Sequence, residues 1–556
     1  MRIIPIKEIQ GSELNSPLTG QSVRTSGVVT AVSRRGFFIQ TSGVTWDGVA
    51  SDAIFIYGRE PSVIVGVELE VLGKVIDYIK GDNAKPVTQI QMDEVRVIRA
   101  PGDAAQVIEL SAEFLPPTNV EMALLLNSLE GMLVRIPKGQ TFIAPSNPFG
   151  DYVLAMDGMK LDTSVLRSKH NGVIAGRDDH LRWFPGFRIT NYNHAQRLNV
   201  GARLISDVVG PLNYRVDSYQ LSVDQPFTVE PAFIPLTKSY LKPSEACLTV
   251  MTLNCFNLDP HVECEDRVVN PRQDVDDDWG EGRFHTLAQA VVLQANVPDI
   301  VALQEIQDND GAQISEVIDA DDTYRLLVNT IHEMCGIRYR WVDVNPEQGA
   351  DGGQPGGNIR NGYLFNPERV EVDLSSVRVF GARHACFEDS RKPLLVVFSE
   401  KASGLKLACI NVHLASKRHQ NSIFAPLEPG TDNKLDVRVA QAKVISQEMQ
   451  ALTELGTNYY LTGDFNDTEH SDTLVALLGE HSSNLVESLP ETERYDYNHR
   501  GKLQVLMHGV IPRKLYESGG AEYQIIHGNE LLGVTPGEES DKPSDHAYVI
   551  AKLKLN

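Results

Sequence analysis

The chain has 556 residues, 42% of them hydrophobic, and a formal charge of −23, which is too much for one hydrophobic core and implies three domains of ordinary size. No run of about 18 or more apolar residues occurs, so no membrane-spanning helix is expected. The start, Met1-Arg2-Ile3-Ile4-Pro5-Ile6-Lys7-Glu8, lacks the basic segment, apolar stretch and small-residue cleavage site of a secretory leader, so a cytosolic protein, or one written without its leader, is expected.

Residues 20 to 100 read as short alternating strands. Val23 to Thr30, Gly36 to Gln40, Ala53 to Tyr57 and Val67 to Val71 are separated by glycine-bearing turns, the signature of a small antiparallel barrel. The first domain is placed at residues 1–104. Residues 105–240 repeat the style less regularly, with Leu129 to Val134 and Ala202 to Ile205 as strands, and form a second β-rich domain.

After Lys242-Pro243-Ser244 strands begin to alternate with helices, which opens a third domain at 246–556. Arg283 to Asn296 puts Phe284, Leu287, Ala288 and Val291 on one helical face, and Asp299 to Leu303 follows as a buried strand. This is layered α/β character. Two long connections, Asp274 to Glu281 and Gly349 to Gly357, are of the kind that carry function.

Charge and cysteine separate the same two halves. Before Ala246 there are 24 basic and 26 acidic residues; after it, 27 and 48. The acidic half disfavours bulk attraction to a polyanion and favours divalent cations as the bridge. All six cysteines, Cys247, Cys255, Cys264, Cys335, Cys386 and Cys409, fall there without a Cys-x-x-Cys pair, so mostly free buried thiols are expected, with a bridge through Cys264 left open.

Five polar sites stand where a strand ends. Leu248 to Leu253 delivers Asn254, Ile300 to Gln304 delivers Glu305, Leu407 to Val412 delivers His413, Tyr459 to Gly463 delivers Asp464 and Asn466, and Ser544 precedes Asp545 and His546. Singly, each reads as a turn or solvated residue. In this order, at intervals of roughly 50 to 110 residues, they resemble the endonuclease/exonuclease/phosphatase superfamily of metal-dependent phosphoesterases. The resemblance is carried by Asn254-Cys255-Phe256-Asn257-Leu258, by Ala302-Leu303-Gln304-Glu305-Ile306, by Gly356 to Pro367, and by Arg391-Lys392-Pro393, Gly463-Asp464-Phe465-Asn466-Asp467 and Ser544-Asp545-His546. It is closest to bacterial, often secreted, nuclease-like proteins whose N-terminal modules resemble oligonucleotide/oligosaccharide-binding (OB) barrels, as Gly36 to Gln40 and Ser51 to Tyr57 do here. Such barrels hold single strands on aromatic platforms. Against that, Phe37, Phe38 and Phe55 also read as packing residues, and alternation makes at least half of them so.

The resemblance implies a four-layered, two-sheet β-sandwich flanked by helices (DNase-I-like), preceded by two OB-like β-barrels; periodicity alone reaches only α/β. It implies Glu305 as the main ligand of Mg²⁺ or Mn²⁺, with Asn254 and Asp545 around it, hard oxygen donors of the kind those ions take. Asp464 would activate water, Asn466 would position it, and His413 and His546 would bond the phosphoryl oxygens. Arg360, Lys417 and Arg418 are candidates to hold phosphate, or simply exposed basic side chains. A structural Ca²⁺ is considered near Asp276, Asp277 and Asp278 or near Asp308 and Asp310, although neither run fits the full calcium-loop pattern. Nucleic acid is the expected partner, with no protein partner implied and a monomer expected. The insertion Leu427 to Asn433 is expected to border the cleft.

One position departs from the resemblance. In relatives the strand after the Tyr497 to Gly501 hairpin reads Leu-Asp-His, its Asp pairing with the histidine of the final Asp-His motif; here it is Leu506-Met507-His508. A further family Asp is also replaced, since Ala547-Tyr548 follows His546. The lost carboxylate would orient the imidazole and favour its protonated form, and His508 faces the opposite side of its strand. Three readings follow: a working but slowed or retuned DNA/RNA phosphodiesterase, a phosphoesterase on a phospholipid headgroup or small phosphodiester, and a catalytically weak protein that binds nucleic acid or another polymer.

Overall fold

The computed structural model describes residues 2–100, 105–116, 118–157, 166–174, 186–191, 193–215, 217–417, 420–537 and 542–555. Near the N-terminus Ser22–Val32, Gly36–Gln40, Ala53–Tyr57, Glu68–Tyr78 and Val87–Arg99 close into a five-stranded barrel. Alternation sends Val29, Phe37, Ile39, Ile54, Ile56, Val71 and Ile90 into its core. Phe38 and Phe55, paired across two strands with ring centroids 4.9 Å apart, lie off the barrel core, Phe38 buried and Phe55 half-buried. The expected strands do not include Val87–Arg99, although Val95 and Val97 alternate with Glu94 and Arg96 in its second half, most of which is exposed.

A nine-stranded sheet follows, running from Val229–Glu230 through Asp151–Ala155 and Val208–Arg215 to Ile108–Glu109. It is β-rich as expected, with a strand order different from that of the five-stranded ring. An ion pair locks it to the barrel: Lys85 Nζ lies 2.5 Å from Glu130 Oε2 with both side chains buried, and the ammonium sits 5.5 and 5.4 Å from the ring centroids of Tyr214 and Tyr219. Full desolvation makes such a pair costly to break and strongly directional.

Residues 247–554 form two six-stranded sheets packed face to face. The first runs Arg340–Asp343, Arg360–Phe365, Ile300–Ile306, Cys247–Leu258, Tyr548–Lys554, Ala521–Ile526; the second runs Val370–Val379, Leu394–Glu400, Lys406–His413, Tyr459–Asp464, Met507–Pro512, Ser482–Asn484. Helices Arg283–Gln289 and Asp321–Cys335 cover the first sheet, while Leu435–Glu454 and Asp472–Leu478 cover the second. The predicted helix at 283–296 is α-helical to Gln289 and widens into a π-helical turn over Ala290–Gln294.

Period two decides what each strand offers to the layer between the sheets. Leu248 and Val250, Ile300 and Ala302, Leu407 and Cys409, Tyr460, Met507 and Val549 fill it, and Met251, Leu253, Val301, Leu303, Ile410 and Leu461 face the helices. Toward one end the same faces turn polar. Thr252 Oγ1 meets Thr462 Oγ1 at 2.5 Å, and Gln304 Nε2 donates to Asn411 Oδ1 at 2.7 Å. All six cysteines are free, and only Cys264 is exposed. Among the described residues no helix is long and apolar enough to cross a membrane.

Lys85→Ala leaves the Glu130 carboxylate buried without a partner and should destabilise the front of the molecule by about 3 to 5 kcal/mol. Thermal unfolding checks this, with the double substitution Lys85→Met/Glu130→Leu expected to recover most of the loss.

Candidate active site

The polar end of the inter-sheet layer is where the strand-end residues meet. On the second sheet His413 is in register with Asp464, and Asp464 with Met507. Gly463, at φ 134°, makes the first pairing possible, since a Cβ there would lie 1.9 Å from the Val412 carbonyl oxygen. On the first sheet a register shift between Leu303 and Ile306 coincides with a positive φ of 55° at Glu305. Strict alternation would aim Glu305 at the helices with Val301 and Leu303. The irregularity turns it into the site instead, the usual work of a bulge. There its Oε1 accepts a 3.2 Å hydrogen bond from Asn254 Nδ2.

His413 Nε2 lies 3.7 Å from both Glu305 Oε1 and Asp464 Oδ2, and His546 Nε2 lies 3.6 Å from Asp464 Oδ2 and 3.8 Å from Asp545 Oδ1. The backbone N–H of Asn466 donates to Asp464 Oδ1 at 2.8 Å, and its side chain donates to the Leu414 carbonyl at 3.2 Å. Arg391 is buried beside them, its Nη2 on the Leu414 carbonyl and its Nε without a partner.

Burial and like charge set the protonation states. Burial, with Asp545 adding repulsion, pushes the Glu305 carboxyl from the usual 4.5 up to about 7. Burial also raises Asp464, against the pull of His546. It holds the His413 imidazole well below its usual range, helped by the charges of Arg391 and His546. For His546 burial works the other way and loses: Asp545, the hydrogen bond to Asp496, and Asp464 push the imidazole up to about 10. Burial and neighbouring charge thus disfavour the charged form of His413 and favour that of His546, beside crowded carboxylates.

Ligand atoms of Glu305, His413 and Asp464 lie within 4.8 Å of one another. Carboxylates driven together, with Asn254 and Asp545 close by, fit a hard divalent cation such as Mg²⁺ or Mn²⁺.

Residues 252–506 match the Endonuclease/Exonuclease/phosphatase family. The C-terminal domain belongs to it. Residues 50–231, from the barrel's third strand region through the nine-stranded sheet, match a domain of unknown function. Similar solved structures include a D. rerio TDP2 humanised by 14 mutations, at 16% identity over 56% of this chain and 99% of that one with a TM-score of 0.36. The endonuclease/exonuclease/phosphatase from Bacteroides vulgatus aligns at 14% identity over 56% and 99%, TM-score 0.36. The human Nocturnin catalytic domain with bound sulfate anion aligns at 15% identity over 56% and 95%, TM-score 0.34. No curated protein matches.

Seven of the family-implied residues, Asn254, Glu305, His413, Asp464, Asn466, Asp545 and His546, come together at this end of the sandwich. The basic candidates do not hold up in the same way. Arg360 is a correction: it is 2% exposed and fully used inside the fold, donating to the Asn345 side chain at 2.7 Å and the Ile318 carbonyl at 2.6 Å beside Asp343. Lys417 lies 3.1 Å from Asp467; burial notwithstanding, Lys417 and Arg438 hold that carboxyl down to about 2. Arg418 lies outside the described residues. Arg391, of the Arg391-Lys392-Pro393 motif, is a basic group close to Glu305 and Asp464 among the described residues.

Position 507 carries no carboxylate, yet His546 is not without one. Its Nδ1 lies 3.1 Å from Asp496 Oδ1, a fully buried side chain at the start of the hairpin, which corrects the expectation of an unsupported imidazole. His508 takes no part, as alternation requires: its Nε2 meets the Asp467 carbonyl and its Nδ1 meets Asn484.

The considered Ca²⁺ positions are redistributed. Asp276 joins Asp259 and Glu263 in a group whose ligand atoms lie within 4.8 Å. Asp278 pairs with Arg283, Asp277 caps the Gly280 N–H, and Asp308 accepts from Asn358 and from the Asp310 backbone. Neither expected run acts as a unit.

A carboxyl raised from 4.5 to about 7 stabilises the fold below the lower value and loses that contribution as pH rises through the upper one. In cation-free buffer Glu305→Gln should therefore melt above wild type at pH 8 and with it at pH 4.5, and Mn²⁺ at pH 8 should raise only the wild-type midpoint. Thermal scans with and without chelator check all of this.

Proposed function

We propose that this protein is a metal-dependent phosphodiesterase and that nucleic acid, DNA or RNA, is its substrate. The observation that carries the reading is the convergence of Asn254, Glu305, His413, Asp464, Asn466, Asp545 and His546 at one end of the sandwich.

Hydrolysis of a phosphodiester needs an activated water, neutralisation of the phosphoryl charge and help for the departing oxygen. Asp464, an acceptor with one oxygen fixed by the Asn466 N–H, takes the proton of the attacking water, and the Asn466 amide orients that water. His546, charged at neutral pH, hydrogen-bonds a phosphoryl oxygen as negative charge develops. His413, neutral beside Glu305 and Asp464, supplies a second donor without competing for their charge, and Arg391 adds fixed positive potential from beneath. A Mg²⁺ or Mn²⁺ ion held by Glu305 with Asn254 and Asp545 would supply Lewis-acid stabilisation of the phosphoryl and leaving oxygens.

Plasmid and single-stranded DNA or RNA should be cut in the presence of Mn²⁺ or Mg²⁺ and left intact with chelator. Glu305→Ala should abolish cutting, and His546→Ala should lower kcat by about 10²- to 10⁴-fold. If wild type and Glu305→Ala leave every nucleic acid equally intact while a phospholipid or small phosphodiester is hydrolysed, the substrate class is wrong; equal background on all of them removes the enzyme reading.

A further inference from the structure

We propose that Asp496 is the positioning residue of His546, standing in from the hairpin for the aspartate that the resemblance places at position 507. The proposal rests on the phosphodiesterase reading of the site and goes beyond it by assigning a residue that family position does not identify.

Both oxygens of Asp496 are committed. Oδ1 faces His546 Nδ1 at 3.1 Å, while Oδ2 accepts the backbone N–H groups of Leu506 and Met507 at 2.9 and 3.0 Å. The carboxylate therefore hangs on the backbone of the very residue that lacks one. Met507 is the cross-strand partner of Asp464, so its side chain enters the same inter-sheet layer, and an Asp there would reach the same space from the opposite wall. The two positions are alternatives for one charge. A chain with a carboxylate at 496 gains by keeping 507 apolar, because a second buried carboxylate would repel the first.

The hairpin that begins at Asp496 is fixed along its length. Asp496 N–H donates to the Gln504 carbonyl at 2.9 Å, and its own carbonyl accepts from the Ala547 N–H at 2.7 Å. Tyr495 stacks on His527 with centroids 4.0 Å apart, and Tyr497 stacks on His546 at 4.7 Å. The return strand Lys502–Gln504 pairs in parallel with Val173–Ile174 of the front half, and Asn498 Nδ2 donates to the Ile143 carbonyl at 2.9 Å. A carboxylate carried on a hairpin is thus held as firmly as one on a central strand.

Asp496→Asn keeps the shape but turns an N–H₂ toward His546 Nδ1, which favours a neutral imidazole that accepts at Nδ1 and keeps a proton only on Nε2. In the serine protease triad the same change costs about 10⁴ in kcat. In the 556-residue chain, with bis(p-nitrophenyl) phosphate and Mn²⁺, Asp496→Asn should lower kcat at least about 100-fold with KM within about threefold. Met507→Asp alone should not exceed wild type, whereas Asp496→Ser/Met507→Asp should regain at least about tenfold over Asp496→Ser. Independently of activity, the downfield imidazole N–H resonance of His546 should be present in wild type and lost in Asp496→Asn. An Asp496→Asn protein that keeps both kcat and the resonance overturns the proposal, as does a tenfold gain from Met507→Asp alone. If wild type lacks Mn²⁺-dependent hydrolysis, the phosphodiesterase reading fails while the resonance still decides Asp496. Should Asp496→Asn not fold, the comparison of Asp496→Ser with the double variant decides.

Discussion

Face-to-face packing of two sheets is the constraint from which the rest of the C-terminal domain follows. It buries one side chain in two along each central strand and leaves the alternate set to the helices. Because strands of both sheets end near one edge, their last inward residues are forced together. Thr252 with Thr462 and Gln304 with Asn411 form polar steps between the apolar core and the site. Above them stand Asn254, His413 and Asp464, each the next inward residue on its strand. The chemistry is thus placed by register, and the register is set by the apolar residues beneath it.

Glu305 is the exception that makes the group useful. Alternation would send it away from the site; the irregularity at its strand end and its left-handed backbone bring it back. Such a backbone costs free energy for a residue with a side chain and is kept where the surroundings over-determine it. The return is a half-buried carboxylate beside two others, an arrangement unfavourable by itself and favourable around a cation. Stability in this corner is traded for a binding site.

The front half is structurally continuous with that corner. The barrel is locked to the nine-stranded sheet through Lys85 and Glu130, and Val173–Ile174 extends the hairpin of the C-terminal domain. Elsewhere, Asn83 and Leu427 exchange hydrogen bonds and Phe424 packs edge-on against Tyr214 and Tyr219. The segment around Phe424 and Leu427 is therefore seated on the front modules.

The order and spacing of the strand-end residues, and the motifs around them, were legible in the sequence because short-range patterning fixes both the strands and what each strand delivers. The barrel was legible for the same reason, apart from Val87–Arg99, whose second half is mostly exposed. Arg360 was misread because nothing local distinguishes a guanidinium spent on carbonyls from one aimed at phosphate. Met507 was correctly seen to lack a carboxylate, and the wrong conclusion followed from reading one strand alone. Which carboxylate faces His546 was decided by the tertiary structure: Asp496 lies 50 positions away, on a hairpin whose placement depends on the Met507 backbone, on Tyr495 and Tyr497, and on a strand of another module. No periodicity or motif encodes that meeting, because it is produced by packing between segments that the sequence keeps apart.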